Sequence, residues 1–389
     1  MEQKVVLQDY LKKYHNTSFE DLPLNEVDIL VLTGLCYADY MSITDVMDGF
    51  DIWNDKIPLS VFKNHEMMKK LSMRYLSGPV VYYNFFKDVL LTARYKDLRI
   101  TKIRNVFSKS KHTQFFAMVY EINDLRFVIF RGTDNTIPGW KEDILTAMGD
   151  EIPSQKLAVE YLKDVLNEDK DYNYYIIGHS KGGNLAYYAF FNLDDKLKER
   201  IIKCYNLDGN GFKKDNFPYK TYRKQIKKIV PSDDVVGCFF DTYSKHTIVK
   251  SANFSIFAHD VLSWQLQPND YTKLLEVKNL TRASQAFKVV FNNWITKMTE
   301  KQLGDFIDFI FVMVDLEKAK TVNELLTNLS KNRHDYLLTI ENYPEERKKE
   351  IRKLTGKFLR DYLEVYIRIS PITKRLVLLS NNKKIIKEK

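Results

Sequence analysis

The run Gly178-His179-Ser180-Lys181-Gly182 is the stretch most able to do chemistry. Serine is a poor nucleophile at neutral pH and attacks a carbonyl only when its Oγ is exposed and a base removes its proton. Gly-x-Ser-x-Gly meets the first condition when a strand runs into it and a helix runs out. The serine then sits at the apex of a sharp turn, above a helix N-terminus. Here the β-formers Tyr174 to Ile177 lead in and the helix-compatible run Asn184 to Phe191 leads out. Gly178 and Gly182 let strand and helix crowd the turn, where a Cβ would clash. The rival reading is an ordinary strand-to-helix turn in a nucleotide-type fold.

A nucleophilic serine needs a base, and the base needs a carboxylate to orient it. Of the histidines after Ser180, His334 lies in a charged helical region and His246 in a Tyr-Ser-Lys-His turn, so both read as surface residues. His259 follows the last strand signal and is the expected base; a structural histidine is the competing account. His179 is expected to pack or hydrogen-bond beside the elbow. Three aspartates compete for the third role. Asp234 follows a strand and precedes Val235-Val236 and is favoured; Asp233 is its neighbour, and Asp208 ends the strand after the elbow helix. Each could equally be a turn-forming aspartate. An oxyanion needs backbone N–H donors, each worth about 3–4 kcal/mol in the transition state. The Lys181 N–H, directly after the nucleophile, and the Gly132-Thr133 loop fit, with the Thr133 hydroxyl as a further donor. Arg131, Trp140 and Asp143 are candidates to pin that loop.

The elements that must position these groups alternate strand and helix. Phe115 to Ile122 and Arg126 to Phe130 form a hairpin across Asn123-Asp124. A helix follows Pro153, with Ser154 as its expected cap and Leu157, Ala158, Tyr161, Leu162 and Val165 on one face. Strands are expected at Ile201 to Leu207, Ile226 to Val230 and Thr247 to Ser251. Such alternation implies a largely parallel sheet with its site at the strand C-termini. Residues 1–99 read as helical cover, with Asn25 capping a helix that carries Asp28 at its third position. Residues 100–270 read as the core. Residues 271–389 take on helical period and end in a lysine-rich tail.

Composition sets the outer bounds. With 389 residues, 44% of them hydrophobic and 13% aromatic, the chain can bury a large core and is not disordered. Its three cysteines, Cys36, Cys204 and Cys238, follow no metal-ligand spacing and read as reduced thiols. No signal peptide is evident, and the apolar run 306–314 is shorter than the ~20 residues that cross a bilayer. A cytoplasmic protein is therefore expected. The formal charge of +9 weakly favours anionic partners, an anionic membrane surface among them. No aromatic-and-basic module of a nucleic-acid binder is present.

The motifs together carry a family likeness. Phe130-Arg131-Gly132-Thr133 followed by Trp140 and Asp143, with Asp234-Val235-Val236 downstream, resembles class 3 lipases. Residues 130–143, 178–186, 207–212 and 259–264 resemble more closely the Mbeg-like bacterial α/β-hydrolases, a family of unknown function. The likeness covers most of the chain. It implies an α/β-hydrolase-type fold and a serine hydrolase that needs no metal or organic cofactor and acts on a small-molecule or lipid acyl ester. Ser180 would be the nucleophile, His259 the base and Asp234 the acid. The Mbeg-like pattern often has serine at the position of Asp234, which keeps Asp208 open as the acid. Lys181 stands where class 3 lipases usually have leucine. A cation there would favour an anionic or polar substrate. The alternative is an inactive hydrolase-fold protein that binds a lipid or a partner protein.

Overall fold

The computed structural model describes residues 4–73, 78–108, 113–133, 151–212, 216–237, 239–240, 245–295, 297–299, 302 and 345–369. Trp140, Asp143, Cys238, His334, the run 306–314 and the lysine-rich tail lie outside them. One nine-stranded sheet organises the rest. Its strands are β1 (Ile57–Pro58), β2 (Arg99–Ser108), β3 (Thr113–Ile122), β4 (Leu125–Phe130), β5 (Tyr174–His179), β6 (Ile201–Leu207), β7 (Ile226–Pro231), β8 (His246–Val249) and β11 (Glu276–Val277). They lie side by side in that order. β4 to β8 run parallel. The strands on either side of that block pair antiparallel. A small ribbon, β9 (Leu266–Gln267) with β10 (Asp270–Leu274), stands apart. Chain order equals sheet order from β1 to β8, so each βα unit places its strand beside the previous one. This is the α/β-hydrolase type of architecture.

β structure begins earlier than the first expected strand, Phe115 to Ile122. β1 belongs to the same sheet, although it lies in the stretch read as cover; β2 begins at the boundary and runs on into the stretch read as core. The Asn123-Asp124 hairpin is present, with Asn123 in the left-handed region at φ 49°.

Side-chain alternation splits the interior in two. Val128, Phe130, Tyr174 and Ile176 face one side and pack against α-helices Pro153–Glu168 and Lys181–Phe191. Phe127, Ile129, Ile177 and Leu207 face the other and meet the N-terminal helices and Trp264. Every residue of β3 is buried, because both faces are covered. The Pro153 helix exposes its expected core face inward, but Ile152 is its N-cap. Ser154 lies within the helix, fully buried, its hydroxyl donating to the Gln114 carbonyl at 3.2 Å. Among the described residues, no helix is long and apolar enough to cross a membrane.

A buried ionic knot holds the N-terminal layer. The helix Glu26–Leu35 opens as expected: Asn25 Oδ1 accepts from the Val27 N–H at 3.0 Å, and Asp28 Oδ2 accepts from the Asn25 N–H at 3.0 Å. Asp28 also accepts from Tyr10 Oη (2.9 Å), Tyr95 Oη (2.6 Å), and Arg94 Nε and Nη2 (2.7 Å each). The Arg94 guanidinium further donates to the carbonyls of Ser18 and Leu22 at 2.9 and 2.7 Å. Both charged side chains are wholly buried. Removing one partner of such a pair strands the other charge, at a cost of about 3–5 kcal/mol. Arg94→Met is therefore expected to lower unfolding free energy by about that amount in a urea titration. A loss below 1 kcal/mol would show that the carboxylate finds other compensation.

Candidate active site

The C-terminal ends of the parallel strands are in register. Phe130 pairs with Gly178, His179 with Leu207, and Leu207 with Ile229. The residues just beyond, Arg131, Ser180 and Asp208, therefore emerge side by side. Ser180 has φ 58° and ψ −132°, a conformation that L-residues adopt only under constraint. The constraint is local and tight. The Ser180 N–H donates to the Leu207 carbonyl at 3.0 Å, and the Ser180 carbonyl accepts from the Gly183 N–H at 2.9 Å. A Cβ on Gly178 would collide with the Gly182 carbonyl, and one on Gly182 with the Phe130 carbonyl. The elbow expected from the sequence is present, and the helix Lys181–Phe191 starts at the residue after its apex.

His259 arrives on a 3-10 turn, Ser255–His259. Its Nδ1 lies 2.6 Å from Asp208 Oδ2. The carboxylate is wholly buried and the imidazole nearly so. Asp208 itself has φ 49° and is held by its N–H donating to the Ile229 carbonyl at 2.8 Å. The carboxylate on His259 is thus Asp208, the residue in line with the elbow, and not the favoured Asp234. Asp234 is buried one loop further along, its N–H donating to the Pro231 carbonyl at 3.0 Å. Asp233 accepts from the Ser232 hydroxyl at 3.1 Å. Among the described residues, the Ser180 hydroxyl makes no hydrogen bond.

The Gly132-Thr133 loop closes over the serine. A Cβ at Gly132 would fall 2.8 Å from Ser180 Cβ, 2.5 Å from the His179 carbonyl and against the Tyr37 hydroxyl, so only glycine permits this approach. Thr133 follows, half-buried. Arg131 lies with its guanidinium 4.0 Å from the centre of the Phe116 ring, a cation–π contact that holds the loop's base. Lys181 corrects an expectation. Its side chain is buried and its Nζ donates to the Gln114 carbonyl at 2.7 Å. The ammonium therefore anchors the elbow helix to β3 and offers no exposed cation to a substrate.

Sequence reasoning missed Tyr37. It follows the helix Glu26–Leu35, and its hydroxyl lies 2.6 Å from His179 Nδ1. His179 Nε2 lies 2.8 Å from the His259 carbonyl, and the two imidazole rings are 4.4 Å apart at 33°. The alternation of β5 was the available signal. It turns His179, like Ile177, toward the N-terminal layer.

The Mbeg1-like family model matches residues 89–312, more than half of the chain. The chain belongs to the Mbeg1-like family. No curated protein matches it. Among solved structures, this Mbeg1-like chain is similar to nonglycosylated LIP2 lipase of Yarrowia lipolytica, at 12% identity and TM-score 0.37, over 73% of this chain and 90% of that one. It is similar to the native Rhizomucor miehei lipase propeptide complex, at 14% and 0.34, over 61% and 76%. It is also similar to a triacylglycerol lipase from Penicillium expansum, at 13% and 0.31, over 58% and 94%.

Burial governs the electrostatics of this Mbeg1-like site. It pushes His179 well below the ordinary histidine value, helped by the neighbouring His259. It pushes His259 down to about 4, against the pull of Asp260; the Asp208 carboxylate at Nδ1 also opposes that drop. Both rings are held neutral. Below about pH 6.5 the unfolded imidazoles bind protons and the native ones do not. Stability is therefore fully present above that pH and is lost as pH falls from it toward the native values. The urea midpoint is expected to drop between pH 7 and pH 5, and to drop less in His179→Gln. Equal drops in both proteins would mean that the His179 ring is not held neutral by burial.

Proposed function

We propose that this protein is a serine hydrolase that cleaves an acyl ester through an acyl-serine intermediate. The carrying observation is the 2.6 Å pairing of His259 Nδ1 with the buried Asp208, beside a serine in elbow conformation. With Nδ1–H donated to Asp208, the basic nitrogen of His259 is Nε2, as a general base requires. Ser180 Oγ attacks the ester carbonyl while His259 Nε2 takes its proton. The negative charge develops on the carbonyl oxygen, where the Lys181 N–H at the start of the helix and the Thr133 group receive it. His259 returns the proton to the leaving oxygen. Water, activated by the same nitrogen, then releases the acid. Asp208 keeps the imidazole in the productive tautomer throughout and takes the role expected of Asp234. The family and the mixed sheet with its parallel centre support a lipase-like hydrolase fold; the ester substrate is our reading.

The Ser180 hydroxyl makes no bond to His259, an arrangement that favours a second reading, a hydrolase-fold protein that binds an acyl ligand without turning it over. Catalytic hydrogen bonds are often long before substrate arrives and tighten in the complex, which keeps the enzyme reading ahead.

Two measurements separate these readings and fix the acid. A fluorophosphonate probe is expected to label wild type and not Ser180→Ala. On p-nitrophenyl butyrate, Asp208→Asn is expected to lose about 10⁴ in kcat, whereas Asp234→Asn stays within a few-fold of wild type. Equal labelling of wild type and Ser180→Ala would overturn the nucleophile. The reverse ranking of the aspartates would return the acid to Asp234.

A further inference from the structure

The histidine beside the nucleophile makes contacts that a catalytic triad alone does not require. The His259 carbonyl is only an acceptor, so the 2.8 Å contact from His179 requires a proton on His179 Nε2. In a neutral ring Nδ1 is then bare, and the Tyr37 hydroxyl, 2.6 Å away, donates to it. The chain of donation is therefore fixed in one direction: Tyr37 Oη–H to His179 Nδ1, and His179 Nε2–H to the His259 carbonyl. The three groups come from the segment after helix Glu26–Leu35, from the end of β5 and from the 3-10 turn Ser255–His259.

We propose that Tyr37 and His179 are positioning residues for the base, so that the N-terminal layer completes the active site. The inference rests on the hydrolase reading above. His259 needs two restraints. Asp208 fixes the rotation of its ring through Nδ1, and His179 fixes its main chain through the carbonyl. Neither restraint replaces the other. The Tyr37 hydroxyl also lies where Gly132 makes its close approach, so one phenol sets both the base and the loop expected to hold the oxyanion. Neutrality of His179 is part of the device. When His259 takes the serine proton it becomes an imidazolium 4.4 Å from the His179 ring. A second cation there would oppose proton transfer, whereas a neutral ring does not.

Side-chain misplacement of about 1 Å can cost about 100-fold in rate. Tyr37→Phe and His179→Leu are therefore expected to lower kcat on p-nitrophenyl butyrate by about 10- to 100-fold, with KM changed less than about two-fold. His179→Gln keeps an N–H near the position of imidazole Nε2 and is expected to recover most of the loss. A role in stability alone would instead lower the amount of folded protein, leave kcat per folded molecule unchanged and show no rescue by glutamine. Histidine ¹⁵N NMR on the wild type supplies a readout that needs no turnover. It is expected to show one ring protonated at Nε2 with Nδ1 bare, and that signal is expected to shift in Tyr37→Phe. Proton occupancy at His179 Nδ1 in the wild type overturns the inference. So does a His179→Leu variant that reacts with the fluorophosphonate as fast as wild type while Ser180→Ala does not react; in that case the hydrolase reading stands. If wild type itself does not react, the hydrolase reading falls and this inference falls with it.

Discussion

Everything at this site depends on the backbone of one residue. Ser180 is held at positive φ, where an L-residue costs about 1–3 kcal/mol, and it stays there because nothing nearby leaves room for the relaxed alternative. The helix meets strand β5 carbonyl to glycine at Gly178, and meets the end of β4 at Gly182. Gly132 closes from one side and Gly209, whose Cβ would meet the Ser180 carbonyl at 2.6 Å, from the other. Bonds to Leu207 and Gly183 fix its peptide groups. The proposed nucleophile is thus placed by main chain packed on main chain, which deforms far less than side chains do. Side chains then add His259 and its carboxylate partner Asp208.

This explains which parts could be read from the residues alone. The elbow was legible because its requirement is local: two glycines flank one serine, with a strand before and a helix after. The hairpin at Asn123 and the capping box at Asn25 and Asp28 were legible for the same reason. His259 could be reached by eliminating the other histidines after Ser180. The acid could not. Asp208 and Asp234 both follow strands, and only the order of strands in the sheet says which one stands beside the elbow. The usable hint was that Asp208 directly follows β6, the direct neighbour of β5, and precedes a glycine. Lys181 was misread because sequence gives a side chain's charge without its direction. Tyr37 lies 142 residues from its partner and sits in a stretch that reads as simple packing. β1 and β2 carry little periodic signal, because one is two residues long and the other is interrupted by charged residues.

The two faces of the sheet divide the labour. On the helix side, packing is aromatic and aliphatic: Phe115, Phe130 and Tyr161 meet at 5.9–6.2 Å between ring centres. On the N-terminal side, polar groups are buried among the apolar ones. Asp28 gathers Arg94 and two tyrosine hydroxyls, Tyr82 Oη donates to the Gly34 carbonyl at 2.8 Å, and Tyr37 reaches His179. Hydrogen bonds demand distance and angle together, so this layer fixes relative position where an apolar contact would tolerate sliding. His179 faces that side.

The stitching of the first residues to the last strands bears on how the molecule comes into being. Leu266 N–H donates to the Val5 carbonyl at 2.9 Å, and Lys4 Nζ to the Ala252 carbonyl at 2.8 Å. Lys4 and Ala252 are 248 residues apart, and contacts of such separation form late and slowly. During synthesis Ser180 leaves the ribosome well before His259, while Tyr37 has long been waiting. Under the hydrolase reading, a partly made chain therefore carries the serine without its base, and the site is complete only when these distant segments meet.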